Sequence, residues 1–148
     1  MPVHGGIGTG PRGLGGALAE AGYALASART TAPGASALGD SAALTGLETL
    51  LTGIPGEVRT AYSHSVLGPL LRPRTASTAV LLETLETFLA HDGSWARTAE
   101  ALHLHVNTVH YRIGRIEHFT GRDLSRLYDR LDLWAALLCR TDRTIPAR

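Results

Sequence analysis

Apolar positions recur every three or four residues along most of this chain, and each such run is bounded by glycine, proline or a short polar residue. Met1 to about Gly13 is the exception, a glycine-dominated block with Val3 and Ile7 that predicts one short strand and a turn. From Leu14 to Arg29, Leu14, Leu18, Ala21, Leu25 and Ala28 alternate spacings of four and three, which predicts an amphipathic helix. Thr30 to Asp40 holds Pro33 and Gly34 and reads as a loop. Leu44, Leu47, Leu50 and Leu51 then suggest a short helix ending at Gly53. Pro55 suits the first turn of another helix, in which Val58, Tyr62, Val66 and Leu70 keep the helical spacing until Gly68-Pro69 ends or kinks it. Leu71 to Ser77, with Pro73 and polar neighbours, reads as a linker.

Beyond the linker the periodicity sharpens. Val80 or Leu81, Leu85, Phe88 and Leu89 form one face of a helix from about Thr78, Glu83 and Glu86 lie on the other, and Asp92-Gly93 supplies the stop. Ser94 is an N-cap for a short helix through about Leu102, in which Trp95, Ala99 and Leu102 make the apolar stripe. A turn at His103 to Val106 leads into a helix that runs to about Phe119 and closes at Gly121. A last helix, about Ser125 to Arg140, repeats Leu127, Leu131, Trp134 and Leu138. That stripe either packs on the helix near residues 80–90 or forms a seam for a second subunit. The expected fold is mainly α: a partial α/β segment over 1–54, a helix and linker over 55–75, a three- to four-helix domain over 76–140 and a tail over 141–148.

Composition narrows the chemistry. The formal net charge of the 148 residues is only +1, so attraction to a polyanion must come from local placement of arginine. All 14 basic residues are arginine; with no lysine, neither a P-loop nor Schiff-base chemistry can operate. The lone Cys139 lies beside an apolar run and has no partner for a disulfide or a thiolate metal cluster within the chain. No apolar stretch approaches the ~20 residues of a membrane span, no secretory leader pattern opens the chain, and a cytoplasmic protein is expected. Gly8, Gly10 and Gly13 formally satisfy G-x-G-x-x-G. No long buried strand precedes them, however, and the pattern predicts no βαβ unit after them. His103, His105 and His110 are close together but do not share a helical face as a zinc site requires, and the pairs Glu83/Glu86 and Asp129/Asp132 have no nucleophile or base beside them. No cofactor, metal or catalytic activity is expected.

The informative unit is SWARTAEALHLHVNTVHYRIGRIEHF, residues 94–119. A helix-turn-helix needs a small residue where its helices touch and an aliphatic residue to plug the turn, and Ala99 and Leu104 stand at those places. On the second helix Val106, Val109, Ile113 and Ile116 share the inward face, which leaves Asn107, Thr108, His110, Tyr111, Arg112 and Arg115 on the other, with Gly114 among them. Arginine reads guanine bidentately, asparagine reads adenine, and a helix N-terminus favours phosphate. His105 at the start of that helix is expected to cap it or meet phosphate. Arg97 and Arg122 are expected to hold the DNA backbone. Five arginines stand against three acids between Ser94 and Arg126.

The run from Leu82 to Arg140 resembles the C-terminal helix-turn-helix of the PucR/CdaR family of bacterial regulators. The resemblance rests on Glu83-Thr84-Leu85, Phe88-Leu89 with Gly93, Ala99-x-x-Leu102, His105-x-Asn107-Thr108-Val109-x-Tyr111-Arg112-Ile113-x-Arg115-Ile116 and Thr120-Gly121-Arg122-Asp123-Leu124. It departs from the family at Ser94, where asparagine is usual, and at Gly114, which costs a helix interior roughly 1 kcal/mol against alanine. Pro55 to Leu71 resembles the segment that precedes this domain in the family. Val3–Gly13 with Leu14–Arg29 resembles the last strand and helix of its central, GGDEF-like (degenerate cyclase-like) domain. The resemblance implies a winged-helix or FIS-like DNA-binding domain, a homodimer on double-stranded DNA and a truncated remnant of a regulatory domain, with a small-molecule effector sensed by a region absent from this chain. The rival reading is a protein-interaction module that keeps the helix-turn-helix fold without binding DNA.

Overall fold

The computed structural model describes residues 1–10, 13–71 and 76–140, which form two compact units, Met1–Ala61 and Tyr62–Arg140. In the first unit, β1 (His4–Ile7) and β2 (Ala37–Asp40) pair in parallel, His4 opposite Ala37 and Ile7 opposite Asp40, and α1 (Leu14–Thr31) makes the crossover between them. A 3-10 turn at Ser41–Ala43, capped by the Asp40 carboxylate accepting from the Ala42 N–H, leads to α2 (Leu47–Thr52). The following helix, α3, spans Gly56–Leu67.

Two expectations change here. The stretch read as loop from Thr30 to Asp40 ends in a strand, and the unit is the βαβ arrangement that the pattern did not predict. Of the glycines that imitate a dinucleotide fingerprint, Gly8 and Gly10 are nevertheless used inside the fold, close against α1 at Ala17, as are Gly6 and Gly39 of the strands. A Cβ on Gly6 or Gly8 would run into the carbonyls of Ala21 and Ala17, and one on Gly39 into that of Ala24, so these glycines let the strands lie against the small-residue face of α1. The carboxylate of Glu20 accepts from the Thr9 N–H at 3.1 Å and the Ser41 hydroxyl at 3.1 Å, which sets a negative charge against the same loop.

The second unit contains the main core. The end of α3, a 3-10 turn at Gly68–Leu71, α4 (Ala76–Ala90), α5 (Trp95–Ala101), α6 (Val106–Thr120) and α7 (Leu127–Leu138) enclose Leu67, Leu70, Leu85, Val109, Ile113, Ile116, Leu133 and Leu137, all almost fully buried. The period read from the sequence is the reason: on α6 the inward positions are Val109, Ile113 and Ile116 as expected. Local signals also set the helix ends. Ser94 Oγ accepts from the Arg97 N–H, and Gly121 ends α6 at φ 65°, a left-handed conformation that glycine adopts without a Cβ penalty. Ala99 is buried, and Leu104 packs against the core from the turn, as a helix-turn-helix demands. Of the expected linker, residues 72–75 lie outside the described residues, as does the tail 141–148.

On α7 the structure separates two apolar sides. Leu133, Ala136 and Leu137 are buried, whereas Leu127 and Leu131 of the expected stripe are exposed and Trp134 and Leu138 half-buried. Among the described residues, no helix is long and apolar enough to cross a membrane.

Candidate nucleic-acid interface

The outer side of α6 is a single stripe. Asn107, His110, Tyr111, Gly114 and His118 are exposed, at spacings of three, one, three and four that bring them to one face. Tyr111, at 66% exposure, stands clear of the fold in mid-helix. Thr108 is half-buried at the edge of the stripe. The sole acid on α6, Glu117, is drawn away, since its carboxylate accepts from the Leu124 N–H at 2.8 Å in the loop after the helix. The stripe thus offers hydrogen-bond donors and acceptors with no free carboxylate from its own helix.

His105 caps α6. Its Nδ1 accepts from the Asn107 N–H at 3.2 Å, satisfying one of the donors that every helix start leaves open. That bond uses the Nδ1 lone pair, so the neutral ring carries its proton on Nε2. His110, placed by its spacing on the outer face, has an intrachain partner: its ring stacks on Trp95 with centroids 3.8 Å apart and planes at 14°, and Trp95 in turn meets Phe88 at 4.7 Å. A side chain of the stripe is thereby held by the first helix of the motif and by the core beneath it. The sequence carries no local sign of this, because Trp95 and His110 belong to different helices.

The arginines divide. Arg97 is exposed on α5. Arg115 lies on the flank of α6 with its guanidinium 5.2 Å from the centre of the Phe119 ring, a cation–π contact one turn along that leaves its N–H groups in the plane to donate. Arg112 turns inward: its Nη1 donates at 3.2 Å to the hydroxyl of buried Thr84 on α4. Arg122 is taken up by two carboxylates of α7, Asp132 and, at 3.3 Å, Asp129. The hydrogen bond to Asp132, partly offset by desolvation, raises the already high pKa of this guanidinium. Asp132 also accepts from the hydroxyl of Tyr62, whose pKa burial and this carboxylate push up. Asp123 is stabilised as a carboxylate by the hydroxyl and N–H of Ser125, which hold its pKa below the usual range. The segment from Arg122 to Asp132 is thus an internal electrostatic clasp between the end of α6 and the start of α7. The structure brings together His105, Asn107, His110 and Tyr111, with Thr108 and Arg115 beside them and Arg97 on the neighbouring helix. Arg112 and Arg122 are engaged inside the fold. Arg126, which the sequence reading did not select, is exposed at the N-cap of α7, in a loop position that has no periodicity to mark it.

Comparison with known proteins matches residues 81–139 to the PucR C-terminal helix-turn-helix domain. An uncharacterised protein of Thermomonospora curvata is 47% identical over 91 residues, which are 62% of this chain and 48% of that protein. The transcriptional activator PmfR of Paenarthrobacter nicotinovorans is 38% identical over 119 residues, covering 76% of this chain and 25% of that protein. The carbohydrate diacid regulator of Escherichia coli is 34% identical over 98 residues, covering 66% and 25%. The chain spans between a quarter and about half of the length of these relatives. Residues 81–139, which run from within α4 to the end of α7 and include the capped second helix of the motif, are thus similar to the PucR C-terminal helix-turn-helix domain.

Proposed function

We propose that this chain is a sequence-specific DNA-binding transcription regulator that lays α6 in the major groove. The observation that carries the reading is the acid-free polar stripe Asn107, His110, Tyr111, Gly114 and His118 on the outer face of the second helix of the motif. Asn107, Tyr111 and Arg115 are assigned to base edges or adjacent phosphates, with Thr108 and His110 beside them. The Nε2–H of His105 and the guanidinium of Arg97 are assigned to the backbone. The same reading makes Arg112 and Arg122 frame residues that hold α6 against α4 and α7. PmfR and the carbohydrate diacid regulator bear regulator names that agree with this function.

Residues 1–54, in which β1 and β2 pair in parallel with α1 as the crossover, are taken as the remnant of an α/β regulatory domain, by this reading one related to GGDEF folds; 55–75 are helix and linker, 76–140 the DNA-binding domain and 141–148 a tail. The protein acts as a homodimer in the cytoplasm without enzymatic activity. Its effector is sensed by a region outside these 148 residues, in keeping with the quarter of PmfR that the chain spans.

Site selection from random duplex DNA over a range of salt concentrations tests the function. The expected outcome is salt-dependent binding that enriches one motif; binding without enrichment, or none at low salt, would favour the interaction module. Gly114 gives a sharper check. A Cβ there meets nothing within 4 Å, so Gly114→Ala is expected to raise stability by about 0.5–1 kcal/mol. It is also expected to weaken DNA binding, because the new methyl occupies the face applied to the groove. Gly22→Ala, on α1 and equally open, serves as control and should leave affinity unchanged. Thermal melts and binding titrations of the two variants would refute the placement of Gly114 if its affinity matched the control.

A further inference from the structure

Helix α7 carries more apolar surface than the core uses. Leu127 is 59% exposed, Tyr128 78% and Leu131 45%, on a helix whose Leu133, Ala136 and Leu137 are buried. This outer side is one wall of a groove of about 340 Å³ whose other wall is the corner between α4 and α5. Leu89, Leu127, Leu131 and Trp134 make its apolar lining, and two charges flank it: Asp92 on the corner and Arg130 on α7. Arg130 is unusual for a surface arginine, since its Nε is buried with no hydrogen-bond partner. Its guanidinium lies beside Gly93, where a Cβ would come to 3.0 Å of Nη1. Asp92 is exposed and held at φ 57°.

A patch with an acid on one wall, a guanidinium on the other and an apolar strip between them is complementary to itself. Under a two-fold axis each charge of one copy meets the opposite charge of the other, the condition for an isologous interface. We propose that the occupant of this groove is a second copy of the chain, its Leu127 and Leu131 covering the apolar strip and its Asp92 pairing with Arg130 in both directions. The proposal rests on the dimeric reading given above and supplies its surface. Three exposed side chains fall well short of the ~800 Å² per partner of a standard interface, so the free dimer is weak and concentration-dependent, and paired half-sites on DNA would strengthen it.

Sedimentation velocity of the full chain over a wide concentration range tests this, with circular dichroism to confirm folding. The wild type is expected to dimerise reversibly, and Leu131→Glu to raise the dimer dissociation constant at least about ten-fold. Asp92→Arg and Arg130→Asp alone each place like charges together twice and should weaken the dimer by about ten-fold. An equimolar mixture of those two variants should recover it, because in the mixed pair both contacts again join opposite charges. A dimer indifferent to all three substitutions overturns the surface while leaving the dimeric reading in place. Failure of the mixture to recover association overturns the charge pairing. A wild type that stays monomeric but binds DNA overturns both, and leaves the groove to a segment of its own chain or to a different partner.

Discussion

Ile113→Ala is expected to lower the stability of the Tyr62–Arg140 unit by about 2–5 kcal/mol, the range for truncating a fully enclosed aliphatic side chain. Ile113 is 1% exposed at the middle of α6 and belongs to the cluster that joins all the helices of the unit, so the cavity opens where no single helix can relax to fill it. Total stability of a domain this size is about 5–15 kcal/mol, and each lost kcal/mol lowers the melting temperature by about 4–8 °C. The variant should therefore melt roughly 8–40 °C below the parent by circular dichroism. Ile113→Val, which leaves a smaller void, should cost only about 0.5–1.5 kcal/mol. Equal melting temperatures for parent and Ile113→Ala would mean that α6 is not seated on this core.

Asn107→Ala and Arg115→Ala are expected to act in the opposite way, with melting temperatures close to the parent and specific DNA affinity reduced by about 1–3 kcal/mol each, roughly 5- to 150-fold. Neither side chain is buried, so truncation removes little from the core. The salt dependence of binding distinguishes their roles. Loss of a base contact relaxes sequence preference at one position and leaves the salt slope alone, whereas loss of a phosphate contact weakens all sequences alike and reduces the slope by about one. Arg122→Ala provides the contrast: losing the partner of Asp129 and Asp132 should show first in stability. If Arg122→Ala instead left the melt unchanged and abolished binding, the division between reading and frame residues would be wrong.

The sequence made the helix-turn-helix readable because each of its determinants is local. The period of Val109, Ile113 and Ile116, the caps at Ser94, His105 and Gly121, and the small Ala99 at the helix crossing all act within a turn or two of chain. Strand β2 escaped notice since Ala37–Asp40 is only four residues without a β-branched or aromatic side chain after Pro33 and Gly34, and only pairing with β1, more than thirty residues away, makes it a strand. Spacing put Arg112 on the outer face of α6, whereas its guanidinium turns inward to Thr84, 28 residues back, a contact that no local period announces. The ion pairs of Arg122 and the stack of His110 on Trp95 escaped for the same reason: spacing says which side of a helix a residue occupies, and tertiary structure decides what waits there. On α7, two apolar stripes compete for one core, and periodicity cannot rank them. Leu133 and Leu137 won the inside.

The only sulfhydryl in the chain, that of Cys139, is 2% exposed where α7 ends. A thiol reagent therefore has a single target, shut off until the last helix lifts from its neighbours. The rate at which such a reagent reacts becomes a clock for that opening, readable in dilute solution at constant temperature without any added label.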